Sequence, residues 1–175
     1  MMKTNPLRQV LYILAIAMAL PFLSVPSAAN IKFTITGVVE AKTCVFNDTA
    51  LTIDLPEVDT RSLASASVVK GKTYFSMKLV CSNGVSEVNI IPSGTAVSNG
   101  DSTLFLNIGS AKNVGLRLLD NTDNVLMPNG QSKATFDFNE TGGTYNFSAG
   151  YSGTGAGRVS GGTFQAVVNF TLDYS

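Results

Sequence analysis

Residues 163–174 read TFQAVVNFTLDY, and the sequence stops one residue later at Ser175. Ala166, Val168, Phe170, Leu172 and Tyr174 alternate with Gln165, Val167, Asn169, Thr171 and Asp173. Successive side chains of a strand point to opposite faces, so this period of two predicts a β-strand with one face on a core. Where no later strand covers such an element, its edge presents unpaired N–H and C=O groups and invites another chain.

The opposite end poses the complementary problem. Residues 31–40 read IKFTITGVVE, with Ile31, Phe33, Ile35 and Val39 on one side and Gly37 interrupting the apolar set. Lys32, Thr34 and Thr36 fall on the other side. This too predicts a strand, but no second strand lies within hairpin reach. Two readings follow from the pattern: an ordinary first strand of the chain's own sandwich, or a strand that pairs with another molecule.

Before this segment, Lys3 and Arg8 precede the apolar run VLYILAIAMAL (10–20) and the stretch PFLSVPSAA, which places small residues at 27 and 29. A positive start, an apolar stretch and a small-residue site predict a secretory signal over residues 1–29. The run is short of the ~20 residues a membrane-spanning helix requires. Removal of residues 1–29 leaves 146 of the 175 residues, a one-domain length. It also takes two of 12 basic residues and none of 12 acidic ones, for a formal charge of −2. The remaining basic residues are scattered and not interleaved with aromatics, so nucleic acid is not an expected partner. No membrane insertion of the mature chain is expected. An even pair of cysteines in an exported chain, Cys44 and Cys81, predicts one disulfide.

Between the two ends, short alternating runs recur: TYFSMKLVC (73–81), SEVNIIP (86–92), STLFLNIG (102–109), VGLRLLD (114–120), ATFDFNE (134–140) and TYNFSAGY (144–151). Asn-Gly at 83–84, 99–100 and 129–130 and Gly-Gly at 142–143 and 161–162 punctuate them. Many short strands at this spacing predict one all-β domain, an antiparallel sandwich or barrel. Residues 57–71 read as a short helical turn or a loop.

Catalytic chemistry finds little support. The chain has no histidine, which removes the commonest general base and the Ser-His and Cys-His nucleophile pairs. Two cysteines without histidine do not make a zinc site. The carboxylate groups Asp54/Glu57/Asp59, Asp120/Asp123 and Asp137/Glu140 stand beside turn residues, where such side chains cap or are solvated. DNTDN (120–124) lacks the ligand spacing of a calcium loop and reads as a polar turn. The glycines of SGTGAGRVSGG (152–162) precede a strand rather than a helix, which predicts a flexible connection and not a phosphate cradle. No cofactor or metal is expected, and no enzymatic activity.

Taken in order, FTITGVV with Cys44 seven residues after Gly37, the second cysteine in YFSMKLVC, VGLRLLD before a PNG turn, YNFSAGY, and the ending GGTFQAVVNFTLDYS resemble one known family. They resemble subunits of chaperone–usher fimbriae, the type 1 pilins, and among these a minor, adaptor-type pilin. The resemblance runs through the whole mature chain. It implies an incomplete immunoglobulin-like β-sandwich lacking its last strand, completed by donor-strand complementation. Residues 30–41 would be the donor-strand extension and 42–175 the pilin domain. Ile31, Phe33, Ile35, Gly37 and Val39 would enter a neighbouring subunit. Gly162, Phe170, Leu172 and Tyr174 would form the edge met by a periplasmic chaperone and then by the next pilin. The implied partners are neighbouring pilin subunits, the chaperone and an outer-membrane usher. The implied destination is a fimbrium at the cell surface, reached through the periplasm. An adhesive module at the fimbrial tip, binding a host glycan or protein through loops such as 93–102 or 152–162, is the alternative.

Overall fold

The computed structural model describes residues 36–38, 42–64, 68–82, 84–137 and 142–175. The chain divides into Met1–Val38 and Val39–Ser175, and the β-strands of the described residues belong to the second unit. The predicted signal segment and four of the five predicted donor residues, Ile31, Phe33, Ile35 and Val39, lie outside the described residues. Thr36, Gly37 and Val38 are exposed.

Among the described residues nine strands form two antiparallel sheets. The larger orders β1 (Cys44–Phe46), β2 (Lys70–Cys81), β8 (Gly142–Gly153), β5 (Val114–Leu119) and β4 (Phe105–Leu106), with β6 (Val125–Leu126) also on β5. The smaller orders β7 (Ala134–Asp137), β3 (Glu87–Ser93) and β9 (Asn169–Tyr174). Alternation decides what faces inward. Phe75, Met77 and Leu79 of β2, Tyr145, Phe147 and Ala149 of β8, and Leu116 and Leu118 of β5 meet Val88, Ile90, Ala134 and Phe136 of the other sheet. Phe147, 1% exposed, is the hub. Its ring centroid lies 5.7 Å from Phe75, 6.2 Å from Phe136 and 5.8 Å from Phe170, so it touches both sheets.

The disulfide forms as the cysteine count predicts. Cys44 and Cys81 stand directly opposite on β1 and β2, with Cα atoms 4.1 Å apart. The helical turn admitted over 57–71 is a single 3₁₀ turn, Thr60–Leu63, capped by the Asp59 carboxylate on the Arg61 N–H.

Several strands depart from the pattern. Gly142 and Gly143, read as punctuation, lie inside β8. The run 102–109 keeps only two strand residues, because Asp101 draws the chain into a turn: its carboxylate accepts the Thr103 N–H and its carbonyl the Leu104 N–H. That turn covers the outer face of β5, where Arg117 is buried against the Asp101 carboxylate and the Thr103 hydroxyl. The glycine-rich stretch 152–162 is not a loose connection. Its Thr154 N–H reaches Asn113 O, the Asn113 side chain reaches Arg158 O, and Ser160 bridges Lys112.

The DNTDN turn behaves as read. Asp120 Oδ1 accepts from the Thr122 N–H and hydroxyl and from the Asn124 N–H, while Oδ2 accepts the Asn124 amide. Burial pushes the Asp120 carboxyl up, but these hydrogen bonds from Asn124 and Thr122 outweigh it and hold the group below its ordinary range.

Candidate functional site, an open cleft beside the C-terminal segment

The smaller sheet ends at β9, and where its next strand would lie there is a cleft of about 720 Å³. Its floor is the inner face of the larger sheet: Phe75, Met77, Leu116, Leu118, Ala149 and Tyr151. One wall is residues 46–55 and the other residues 164–170. The core's half-buried apolar residues gather around this opening, among them Phe46, Leu55, Phe164, Ala166, Val168 and Phe170. In a closed sandwich such side chains would be fully covered.

The backbone of the C-terminal segment faces two ways. Odd-numbered residues turn toward the protein. Thr163 O accepts from Ala111, Gln165 O from Ile108, and Ser175 exchanges hydrogen bonds with Ser86 and Glu87. Gln165 N–H reaches the Asn107 side chain, and Thr163 N–H the Ser110 hydroxyl. Backbone groups of an extended segment alternate in direction, so Phe164, Ala166, Val168, Phe170, Leu172 and Tyr174 point theirs to the other edge, which lines the cleft as far as Phe170. Pro92 fits this frame: it sits opposite Phe170, where no ladder N–H is needed. The period that the sequence predicts over 163–174 is therefore present throughout, but only Asn169–Tyr174 is a paired strand. Residues 163–168 continue it with no strand of the described residues paired beside them.

The facing wall is similar. After the Asn47 N–H bonds Lys78 O, residues 48–55 show no backbone hydrogen bond to another described residue, although Leu51, Ile53 and Leu55 alternate with Thr52 and Asp54. Among the described residues two unpaired edges thus flank one apolar floor, the geometry into which an extended strand fits. The disulfide anchors the start of the first wall by holding β1 on β2.

Sequence reasoning placed Phe170, Leu172 and Tyr174 on the inner face of the last strand, and there they are, half-buried against Pro92, Ile90 and Val88. Phe170 lines the cleft. Gly162 does not line it. A Cβ there would stand 2.6 Å from both Ala111 N and Ser110 Oγ, so the glycine lets the segment lie against 110–111. The reading missed three parts of the site: the wall 46–55, the floor, and Asn107. The first had a signal in the alternation of DTALTIDL. The others had none, because they are assembled from distant strands.

Residues 31–175 match the family model described as fimbrial protein. The chain belongs to the fimbrial protein family. Protein FimG of Escherichia coli K12 is 32% identical over 166 residues, covering 94% of this chain and 96% of FimG. The probable fimbrial subunit LpfE of E. coli O157:H7 is 27% identical over 149 residues, covering 84% and 83% of the two chains. The fold is that of solved pilins. The P pilus rod subunit PapA superposes with a TM-score of 0.62 at 20% identity, over 75% of this chain and 99% of PapA. A subunit in a chaperone–usher pilus structure does so at 0.63 and 20% identity, over 87% and 99%. This fimbrial protein is thus a structural pilus subunit with an incomplete immunoglobulin-like sandwich.

Proposed function

We propose that this pilin polymerises in a chaperone–usher fimbria by accepting a strand in its cleft and giving its own N-terminal strand to the next subunit. In this reading residues 1–29 direct export, 30–41 form the donor extension, and 42–175 form the accepting domain. A periplasmic chaperone lends the first strand, alongside the edge that includes Phe170, Leu172 and Tyr174. At an outer-membrane usher Ile31, Phe33, Ile35, Gly37 and Val39 of an incoming subunit replace it. The adaptor-type place in the fibre rests on the sequence resemblance.

The observation that supports this most is the pair of edges, unbonded among the described residues, over an apolar floor. Burying three or four Ile, Phe and Val side chains there is worth roughly 1.5–3 kcal/mol each as an upper estimate. Gly37 weakens an isolated strand, which fits a point where the host leaves no space for a side chain.

The test is Gly37→Arg in cells that assemble the fimbria. The expected result is a normal yield of chaperone-bound subunit with arrested fibre growth. Fibres of normal length would overturn the donor assignment.

A further inference from the structure

Residues 30–175 contain two methionines, Met77 and Met127. The two cysteines are joined, so these thioethers are the readily oxidised sulfur atoms of that stretch. Met77 belongs to the inward set of β2, between Phe75 and Leu79, and its cross-strand partner Tyr145 is buried. In a closed sandwich an inward residue would be covered on every side. Met77 is only half-buried, and it lines the open cleft. Small solutes therefore reach it through the opening that an inserted strand would close. Met127, just after β6, is half-buried too, but it does not line the cleft.

We propose that Met77 is an oxidative modification site: a hydroperoxide converts its thioether to the sulfoxide while the cleft is open, and the modified subunit no longer takes up a strand. The sulfur lone pair attacks one oxygen of the peroxide, and the S–O bond forms as the O–O bond breaks. Sulfur gives up two electrons, and hydrogen peroxide is reduced to water. The product is polar where the thioether was apolar. Phe46, Phe75, Leu118 and Ala149 line the same cleft and carry no side-chain donor for the new oxygen. A strand seated over it would bury an unpaired acceptor, which opposes capture. The two events exclude each other: a seated strand shields the sulfur, and the sulfoxide keeps the strand out. This rests on the strand-accepting reading above.

Oxidation mapping and strand capture test it. The exported chain is treated with hydrogen peroxide with and without a captured synthetic peptide of residues 30–40, and mass spectrometry reads each methionine. The peptide should slow oxidation of Met77 about tenfold and leave Met127 within about twofold. Equal slowing of both, or slowing of neither, overturns access through the cleft. Capture is then compared for fully oxidised and unoxidised preparations diluted from denaturant into the peptide. In the wild-type chain and in Met127→Leu, oxidation should lower capture about tenfold or more. In Met77→Leu the oxidised and unoxidised preparations should capture alike. Undiminished capture by oxidised Met127→Leu, or a loss in oxidised Met77→Leu, overturns the proposal and leaves the strand-accepting reading standing. An unoxidised wild-type chain that captures no peptide overturns that reading and the proposal with it.

Discussion

The side-chain carbonyl of Asn107 accepts the backbone N–H of Gln165 at 2.9 Å. An amide side chain thus does for residues 163–168 what a strand would do, holding one edge so that the other faces the cleft. Asn107 also accepts the Gly109 N–H and donates to Ala111 O, so the loop and the wall share one anchor. Asn107→Ala should cost about 1–3 kcal/mol, the penalty for leaving such groups without partners. Denaturant titration of the peptide-filled subunit measures it, and an unchanged midpoint would show that the wall is held elsewhere.

Phe147 and Phe170 are in contact but should respond differently. Phe147 is fully buried, and Phe147→Ala should cost about 3–5 kcal/mol whether or not the cleft is filled. Phe170 is half-buried at the cleft. Phe170→Ala should cost less in the empty subunit and approach the full value once a strand covers it. The difference in unfolding midpoint with and without donor peptide reads this directly; equal losses in both states would place Phe170 outside the binding surface.

The Cys44–Cys81 bridge closes a separation of 37 residues. Replacing both cysteines by serine should remove roughly 3–4 kcal/mol on the chain-entropy account. Since β1 leads into the wall 46–55, peptide capture should fall together with stability. Capture that survives intact in the double variant would show that this wall is not part of the acceptor.

Acid should destabilise the subunit through Asp101 and Asp120. Burial raises both carboxyls, but hydrogen bonds outweigh it and leave both below their ordinary value of 3.8: from Thr103 and then Arg117 on Asp101, and from Asn124 and Thr122 on Asp120. A depressed carboxylate contributes stability that is fully present above that ordinary value. The contribution is lost as pH falls through the lower folded value. Stability should therefore hold from neutral pH down to about 4 and fall below it. Asp101→Asn should flatten that fall, and a slope unchanged in the variant would exclude Asp101 as a source.

Gly162→Ala should destabilise the subunit by about 1–3 kcal/mol, since its Cβ would drive the chain off Ser110 and Ala111. The effect should appear in the chain alone, before any partner is added. A variant with normal stability but impaired chaperone binding would instead make Gly162 a recognition residue.

Local pattern carried much of this fold. A period of two in YFSMKLV, EVNII, GLRLL and YNFSAGY marked the strands β2, β3, β5 and β8 but left either Tyr74 or Phe75 to lead the inward set of β2, and packing against the second sheet chose Phe75. The same pattern marked Phe170, Leu172 and Tyr174. It misjudged 102–109, where the Asp101 side chain turns the backbone, and 142–143, where glycines were taken for a turn inside a paired strand. In both places pairing or capping across the fold overrode local preference.

The sequence by itself determined that the domain is all-β, that its two cysteines pair, and that an alternating apolar segment stands near each end. Periodicity and composition are local properties and survive without coordinates. Only the tertiary structure decided that the even-numbered residues of 164–170 turn their backbone toward a cleft. Only there does it emerge that 46–55 lies across from them and that Asn107 secures the near wall. Whether a hydrogen-bonding edge is used or bare depends on which distant segment lies beside it, and that follows from packing the two sheets around Phe147.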